Sequence, residues 1–146
     1  MTVKSIPEGY HTITPFLTVQ GADQLIDFMK QIFAAMEIER MTNPDGTVKH
    51  AEVRIGDSVV MLSEARGEWK PMPAALYLYV SDVDMVYKRA LQAGAVSLME
   101  PTNTFYGNRE SGVKDQFGNY WWIATHVEEV ALEEIQKRAA QTKPQS

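Results

Sequence analysis

The chain has 146 residues, which corresponds to about one domain at roughly 100–200 residues per domain. Its net charge of −5 argues against nucleic acid or an anionic membrane as a partner, since both require clustered basic residues. The chain contains no cysteine, which excludes disulfides, thiolate zinc sites and cysteine nucleophiles. Residues 1–8 lack the apolar stretch of a secretory signal, so we expect a cytoplasmic protein.

A first module is predicted over residues 10–64. Alternating residues indicate a strand over 10–19. Apolar residues at helical spacing indicate a helix over 21–36, with Asp23 near its start as a candidate capping residue. The predicted order is βαβββ, because three short strands follow, at 37–41, 48–55 and 58–63.

A second module is predicted over residues 75–126. It begins with a strand over 75–80, and Ser81 with Asp84 forms a capping-box pattern for a helix that ends at Gly94. The order is again βαβββ, with short strands at 95–99, 113–115 and 119–125 and a polar loop at 101–112.

The two modules repeat at a fixed spacing. Val80 follows Val19 at the same separation in sequence at which Asp84 follows Asp23. Two copies of one unit indicate a paired-module domain, since a solenoid needs at least three repeats. We therefore predict an α+β fold of two tandem βαβββ modules within one domain, residues 10–126.

Three segments lie outside the predicted modules: an N-terminal arm over 1–9, a linker over 65–74, and a C-terminal helix and tail over 127–146. Thr125 and Glu128 form a capping-box pattern before the last helix. The apolar face of this helix is thin, so we expect it to lean on the domain or on a second subunit.

Several segments resemble the vicinal oxygen chelate superfamily of glyoxalase, bleomycin-resistance and dioxygenase proteins, and its PhnB-like branch above all. The resemblance covers residues 10–126. It implies that each module curls its sheet into a cup and that two cups face each other around a ligand cavity. It also implies a homodimer. The segments that carry it are Thr14–Leu17, Asp27–Phe28, His50–Ser58, and Asp115–Trp121, which is similar to the Asp-Pro-Phe-Gly-Asn turn of the family.

Enzymes of this superfamily hold a metal ion with four His, Gln or Glu side chains from the first and last strands of the two modules. The resemblance places these positions at Thr14, Met61, Ala75 and Trp122. None of the four suits a hard or borderline divalent metal, so we expect neither a metal nor another cofactor.

Aromatic and hydroxyl side chains share the predicted inward faces, which is typical of pockets for small apolar or aromatic molecules. We therefore predict a binding protein, and we assign no catalytic residue. Other predicted lining residues are Thr12, Thr18, Val59, Ser63 and Ala124. The predicted ligand-binding residues are Thr14, Phe16, His50, Glu52, Met61, Tyr77, Tyr79, Arg109, Tyr120 and Trp122.

Several alternatives remain open at this point. Glu52 forms an ion pair with Arg54, anchors a polar ligand group, or joins His50 in a displaced metal site of a lyase, isomerase or dioxygenase. Arg109 either contacts a polar ligand group or pairs with Glu110 or Asp115. A protein with a collapsed cup that acts only through protein contacts is the third class of function. His11 and His126 are predicted to be surface or capping residues.

Overall fold

The computed structural model describes residues 2–141, which form two compact units, each built on one four-stranded sheet. The first unit runs to Ala74 and includes Asp115–Asn119, and the second comprises Ala75–Lys114 and continues from Tyr120. The element order confirms the predicted α+β fold of two βαβββ modules. The end of the predicted tail, residues 142–146, lies outside the described residues.

The first unit packs one helix on one face of its sheet. The strand order is β1-β4-β3-β2, with β1 parallel to β4 and the other pairs antiparallel. Leu25, Met29 and Ile32 of the helix are buried, as are Leu17 and Leu62 of the sheet. The elements are β1 (Phe16–Val19), α1 (Ala22–Phe33), β2 (Met36–Thr42), β3 (Val48–Ile55) and β4 (Ser58–Glu64).

The second unit repeats this arrangement with strand order β5-β8-β7-β6, again with the outer parallel pair β5 and β8. Trp121 and Ile123 of the sheet and Val83, Val86 and Ala90 of the helix are buried. No helix in the described range 2–141 is long and apolar enough to span a membrane. The elements are β5 (Ala75–Tyr79), α2 (Val83–Gln92), β6 (Val96–Asn103), β7 (Asn108–Lys114), β8 (Tyr120–His126) and α3 (Leu132–Gln141).

The strand registers reproduce the spacing of the sequence repeat. Phe16 pairs with Met61 in the first sheet, and the residues at the repeat-related positions of the second module, Tyr77 and Trp122, pair in the second sheet. Met61 and Trp122 therefore occupy equivalent positions, as the resemblance implies.

Two predicted strand boundaries are wrong. The first strand begins at Phe16 and not at residue 10, because Pro15 has no N–H to donate and enters the sheet only through its carbonyl, which accepts from Met61. The predicted loop at 101–112 is largely strand, since β6 extends to Asn103 and β7 begins at Asn108. Pairing with the neighbouring strand overrides the polar composition of this segment.

The predicted cap of the first helix is also wrong. Gly21 precedes α1 with a φ of 91°, and no side chain of its own segment caps the helix. The carboxylate of Glu64, at the end of β4, instead accepts from the N–H groups of Gly21 and Ala22, at 2.8 and 3.1 Å. A negative charge at the start of a helix also interacts favourably with the helix dipole. The capping residue therefore comes from a neighbouring strand, not from Asp23.

The two predicted capping boxes are wrong as well. Asp82, and not Ser81, caps α2 by accepting from the N–H of Met85. Thr125 does not begin the last helix, which starts at Leu132. The hydroxyl of Thr125 accepts from the N–H of Val83 at 3.0 Å, so Thr125 satisfies a free N–H group at the start of α2.

Replacing Glu64 with alanine leaves two N–H groups at the start of α1 without their carboxylate acceptor. We expect Glu64→Ala to lower the free energy of unfolding by about 1–2 kcal/mol, measured by urea denaturation. Glu68→Ala, an exposed change in the linker, is the control and leaves the midpoint unchanged. Equal midpoints for both variants would contradict this assignment.

Candidate functional site

Five of the predicted site residues lie together on the helix-free face of the first sheet, the face that α1 does not cover. Phe16, Met61 and Glu52 are neighbours across β1, β4 and β3. The rings of Phe16 and His50 lie 5.9 Å apart. A cavity of about 350 Å³ adjoins Thr14, Glu52 and Met61, and its other lining residues are Ser5, Ile6, Pro7, Tyr10, His11 and Thr12.

The carboxylate of Glu52 is the polar centre of this face. It is only 8% exposed. The hydroxyl of Tyr10 donates to its Oε1 atom, and Nε2 of His50 lies 2.9 Å from its Oε2 atom. The alternative ion pair with Arg54 is not formed, because Arg54 donates to the carbonyl of Gly9. Glu52 is therefore held by Tyr10 and His50, and not by Arg54.

These hydrogen bonds set the protonation states of both partners. The bond from Tyr10, followed by that from His50, holds the pKa of Glu52 below its usual value. The same bond to Glu52, with burial, raises the pKa of Tyr10. At neutral pH the glutamate is charged and the tyrosine is protonated. A general base works best with a pKa near the working pH, so this pair suits binding better than proton abstraction.

A second cavity, of about 390 Å³, lies further along the same face and has aromatic walls. The linker after β4 pairs with β1, since the N–H of Met72 donates to the carbonyl of Thr18 at 2.8 Å. Trp69 of this linker is largely exposed and lines the cavity together with Phe16. Its other lining residues are Thr18, Asn43, Lys49, Ser63, Glu64 and Arg66.

The helix-free face of the second sheet carries four predicted aromatic residues. Strand alternation and register place Tyr77, Tyr79, Tyr120 and Trp122 on the face opposite the buried Trp121. Tyr77, Tyr79 and Tyr120 are 45%, 66% and 39% exposed. We call these four residues the aromatic face.

A glycine gives the indole of Trp122 its place. Gly112 pairs with Trp122 across β7 and β8, and a Cβ atom on Gly112 would lie 2.3 Å from the Trp122 ring. Because no side chain fits there, the ring lies against the β7 backbone. Trp122 thus occupies one of the positions at which the resemblance expects a metal ligand.

Glu110 lies on the same face and is only 9% exposed. Its Oε1 atom accepts from the hydroxyls of Tyr77, at 2.5 Å, and Tyr106, at 2.7 Å. The side-chain amide of Asn108 donates to the hydroxyls of Tyr77 and Tyr79, and its oxygen lies 2.9 Å from Nδ1 of His126. These side chains therefore form one network with the carboxylate at its end.

Burial and the hydrogen bonds to Glu110 keep both tyrosines protonated. Burial, reinforced by the bond to Glu110, raises the pKa of Tyr77 well above its usual value. The same two causes raise the pKa of Tyr106 to about 12. Both hydroxyls therefore remain donors throughout the physiological pH range.

Four residues of these sites were not predicted from the sequence: Tyr10, Tyr106, Asn108 and Glu110. Three of them lie in the segment that was predicted to be a loop. β7 carries polar residues on both faces, so it lacks the apolar alternation that indicates a strand. For Tyr10 the available signal was its place as the first residue of the predicted strand.

Arg109 is not brought to the aromatic face. Its guanidinium pairs with Asp84 of α2, with N–O distances of 2.8 and 3.0 Å, and it also donates to Asn103. The predicted pairing of Arg109 with Glu110 or Asp115 is therefore wrong. Asp115 instead accepts from the N–H groups of Phe117 and Asn119 in the turn before β8.

The residues at the family's metal positions do not fit a metal ion. Thr14, Met61, Ala75 and Trp122 include no imidazole or carboxylate. Within the described residues, no three His, Asp or Glu side chains come close enough to hold an ion. The alternative metal site at His50 and Glu52 would have only two protein ligands, and these two side chains hydrogen-bond to each other.

Comparison with known proteins identifies relatives along most of the chain. The sequence model of the Glyoxalase/Bleomycin resistance protein/Dioxygenase superfamily matches residues 10–123. An uncharacterized protein of Mycobacterium bovis is 36% identical over 135 residues, which cover 85% of this chain and 89% of that protein.

Solved structures share the fold at lower identity. TioX from Micromonospora sp. ML1 is 23% identical, with a TM-score of 0.68 over 80% of this chain and 99% of its own. FosX from Listeria monocytogenes, a fosfomycin resistance protein in complex with Mn(II) and sulfate, is 18% identical, with a TM-score of 0.63 over 88% and 97%. TnmS3, an antibiotic binding protein from Streptomyces sp. CB03234, is 19% identical, with a TM-score of 0.60 over 80% and 97%.

The lowered pKa of Glu52 predicts a specific loss of stability in acid. Its stabilisation is complete above the usual glutamate pKa of about 4.3 and is lost as the pH falls through the lower folded-state pKa. Glu52→Gln should therefore lose less stability than the wild type between about pH 5 and 3, in urea titrations across that range. Glu39→Gln, its exposed neighbour on β2, is the control, and parallel curves for wild type and Glu52→Gln would contradict the prediction.

Proposed function

Because the chain belongs to the Glyoxalase/Bleomycin resistance protein/Dioxygenase superfamily, we propose that it binds a small apolar or aromatic molecule without a metal ion. The observation that carries this proposal is the aromatic face of the second unit. Three tyrosine rings there are at least 39% exposed on one side of a single sheet. Soluble proteins seldom expose such a surface unless it contacts a ligand or a partner.

The mixture of groups on this face favours a small ligand. Aromatic rings supply contact area, and a few fixed polar groups orient the bound molecule. Here the rings of Tyr77 and Tyr79 lie 5.4 Å apart, and Asn108 fixes both hydroxyls. Because hydrogen bonds within the protein already order these side chains, less conformational entropy is lost when a ligand binds.

The first unit supports the same function on its own helix-free face. Its two cavities combine a carboxylate, at Glu52, with the aromatic walls of Phe16 and Trp69. Thr14 and Met61 adjoin Glu52 and add apolar and hydroxyl contacts. We propose these residues as ligand contacts of this unit.

The side chains at the family's metal positions favour ligand binding over metal-dependent catalysis. FosX shows that a protein of this fold can carry Mn(II). In this chain the positions that the family resemblance assigns to a metal include Met61 and Trp122, neither of which suits such an ion. Glu52 has a lowered pKa, so it is poorly matched to accept a proton at neutral pH. Both observations support ligand retention without chemistry.

We also propose that the protein is a cytoplasmic homodimer. The absence of cysteine suits a reducing compartment. The outer strands β2 and β6 expose apolar side chains at their sheet edges, among them Met36, Ile38 and Val96. An exposed apolar edge is a surface that a second copy can cover.

A thermal-shift screen tests the binding function. Aromatic antibiotics, keto acids and metal salts are compared with and without EDTA, and we expect aromatic compounds to raise the Tm equally in both conditions. Tyr79→Ala should weaken binding of such a compound by about two- to tenfold, since one ring contact is lost. Tyr87→Ala, an aromatic change on α2, is the control. Stabilisation by metal salts alone, or turnover that EDTA abolishes, would contradict the proposal.

Light scattering at low micromolar concentration tests the dimer. We expect twice the mass of the chain for the wild type and for Met85→Lys, a change on the exposed surface of α2. Met36→Lys places a charge on the apolar edge of β2 and should give the monomer mass. A monomer mass for the wild type would contradict the proposed homodimer.

A further inference from the structure

We propose that the ligand of the aromatic face carries a positive charge, as a protonated amine or quaternary ammonium group attached to an aromatic or apolar body. This inference rests on the proposed binding function and specifies its ligand class. The group that selects the charge is the carboxylate of Glu110, and the rings around it provide the second attraction.

Glu110 is a buried carboxylate that no cation neutralises. It forms no ion pair with any Lys, Arg or His among residues 2–141. Its Oε1 atom accepts from two tyrosine hydroxyls, whereas its Oε2 atom has no hydrogen-bond donor in the same range. Because no buried side-chain oxygen in that range lacks a partner, Oε2 is accessible from solvent. Burial of a charge is costly unless it is paired, and neutral hydroxyls offset only part of that cost. A ligand ammonium would supply the missing pair at Oε2.

The basic residues nearest to Glu110 in sequence, Arg109 and Lys114, interact with other groups. Arg109 pairs with Asp84 of α2. Lys114 shares the face but lies four residues from Glu110, which is about 13 Å along a strand. Its ammonium instead lies over the ring of Tyr120, 5.7 Å from the ring centroid. The site at Glu110 is therefore open to an external cation.

The rings of the face favour the same charge. Tyr77 and Tyr79 lie beside Asn108, which orients their hydroxyls, and Tyr77 donates to Glu110. The face of an aromatic ring attracts a cation, and the attraction strengthens where water is excluded. The contact between Lys114 and Tyr120 shows this preference within the protein itself. An aromatic amine would place its charge near Glu110 and its ring against the tyrosines.

Three probes of similar size and different charge test the inference: 1-naphthylmethylammonium, 1-naphthylmethanol and 1-naphthoate. Their affinities are measured by calorimetry at pH 7 and low salt, with the full chain. We expect the ammonium probe to bind about tenfold more tightly than the alcohol, and the carboxylate to bind most weakly. Added salt should reduce the difference between the charged probes.

Glu110→Gln should remove most of the preference for the ammonium probe, and Glu100→Gln, an exposed change on β6, should keep it. Circular dichroism establishes whether each variant folds. Tyr79→Leu provides a second test that does not depend on Glu110, because leucine retains apolar area and loses the ring. Tyr79→Leu should weaken binding of the ammonium probe more than binding of the alcohol.

The outcomes separate the inference from the function on which it rests. Equal binding of ammonium and alcohol, tighter binding of naphthoate, or an unchanged preference in folded Glu110→Gln would overturn the inference while leaving ligand binding intact. Failure of all three probes to bind would overturn both proposals for the aromatic face.

Discussion

In each unit one buried carboxylate is held on the helix-free face of the sheet by tyrosine hydroxyls. Tyr10 donates to Glu52, and Tyr77 and Tyr106 donate to Glu110. Because a buried charge needs compensation, each carboxylate orders the segments around it. Glu52 ties the chain before β1 to β3, and Glu110 ties the turn before β7 to β5. The geometry of both faces depends on these bonds.

The duplicated framework presents different chemistry at equivalent positions. The first sheet pairs Glu52 with Met61, and the second pairs Gly112 with Trp122 at the matching place. A large ring is accommodated where the opposite residue has no side chain, and a flexible thioether stands where the opposite residue is a carboxylate. Neither Met61 nor Trp122 suits a divalent metal, and both leave contact surface for an organic molecule. The repeat therefore preserves the backbone and varies what the face recognises.

Much of the site could be predicted where strands alternate between apolar and polar residues. Phe16, Tyr77 and Trp122 fall on their observed faces because side chains alternate along a strand. Glu110 and Tyr106 could not be found in this way, since β7 carries polar residues on both faces. Their partners lie on other strands or across a turn, and sequence spacing contains no record of such contacts.

The sequence by itself determined the duplication, the βαβββ order and the aromatic composition of one strand face, because each rests on local periodicity or on the constant spacing between the two modules. Only the tertiary structure decided which groups are paired. It assigned Glu64 to the start of α1, Arg109 to Asp84, and the tyrosine hydroxyls to the two buried glutamates. Hydrogen bonds between distant residues require the folded backbone to bring donor and acceptor within about 3 Å, which no local pattern specifies.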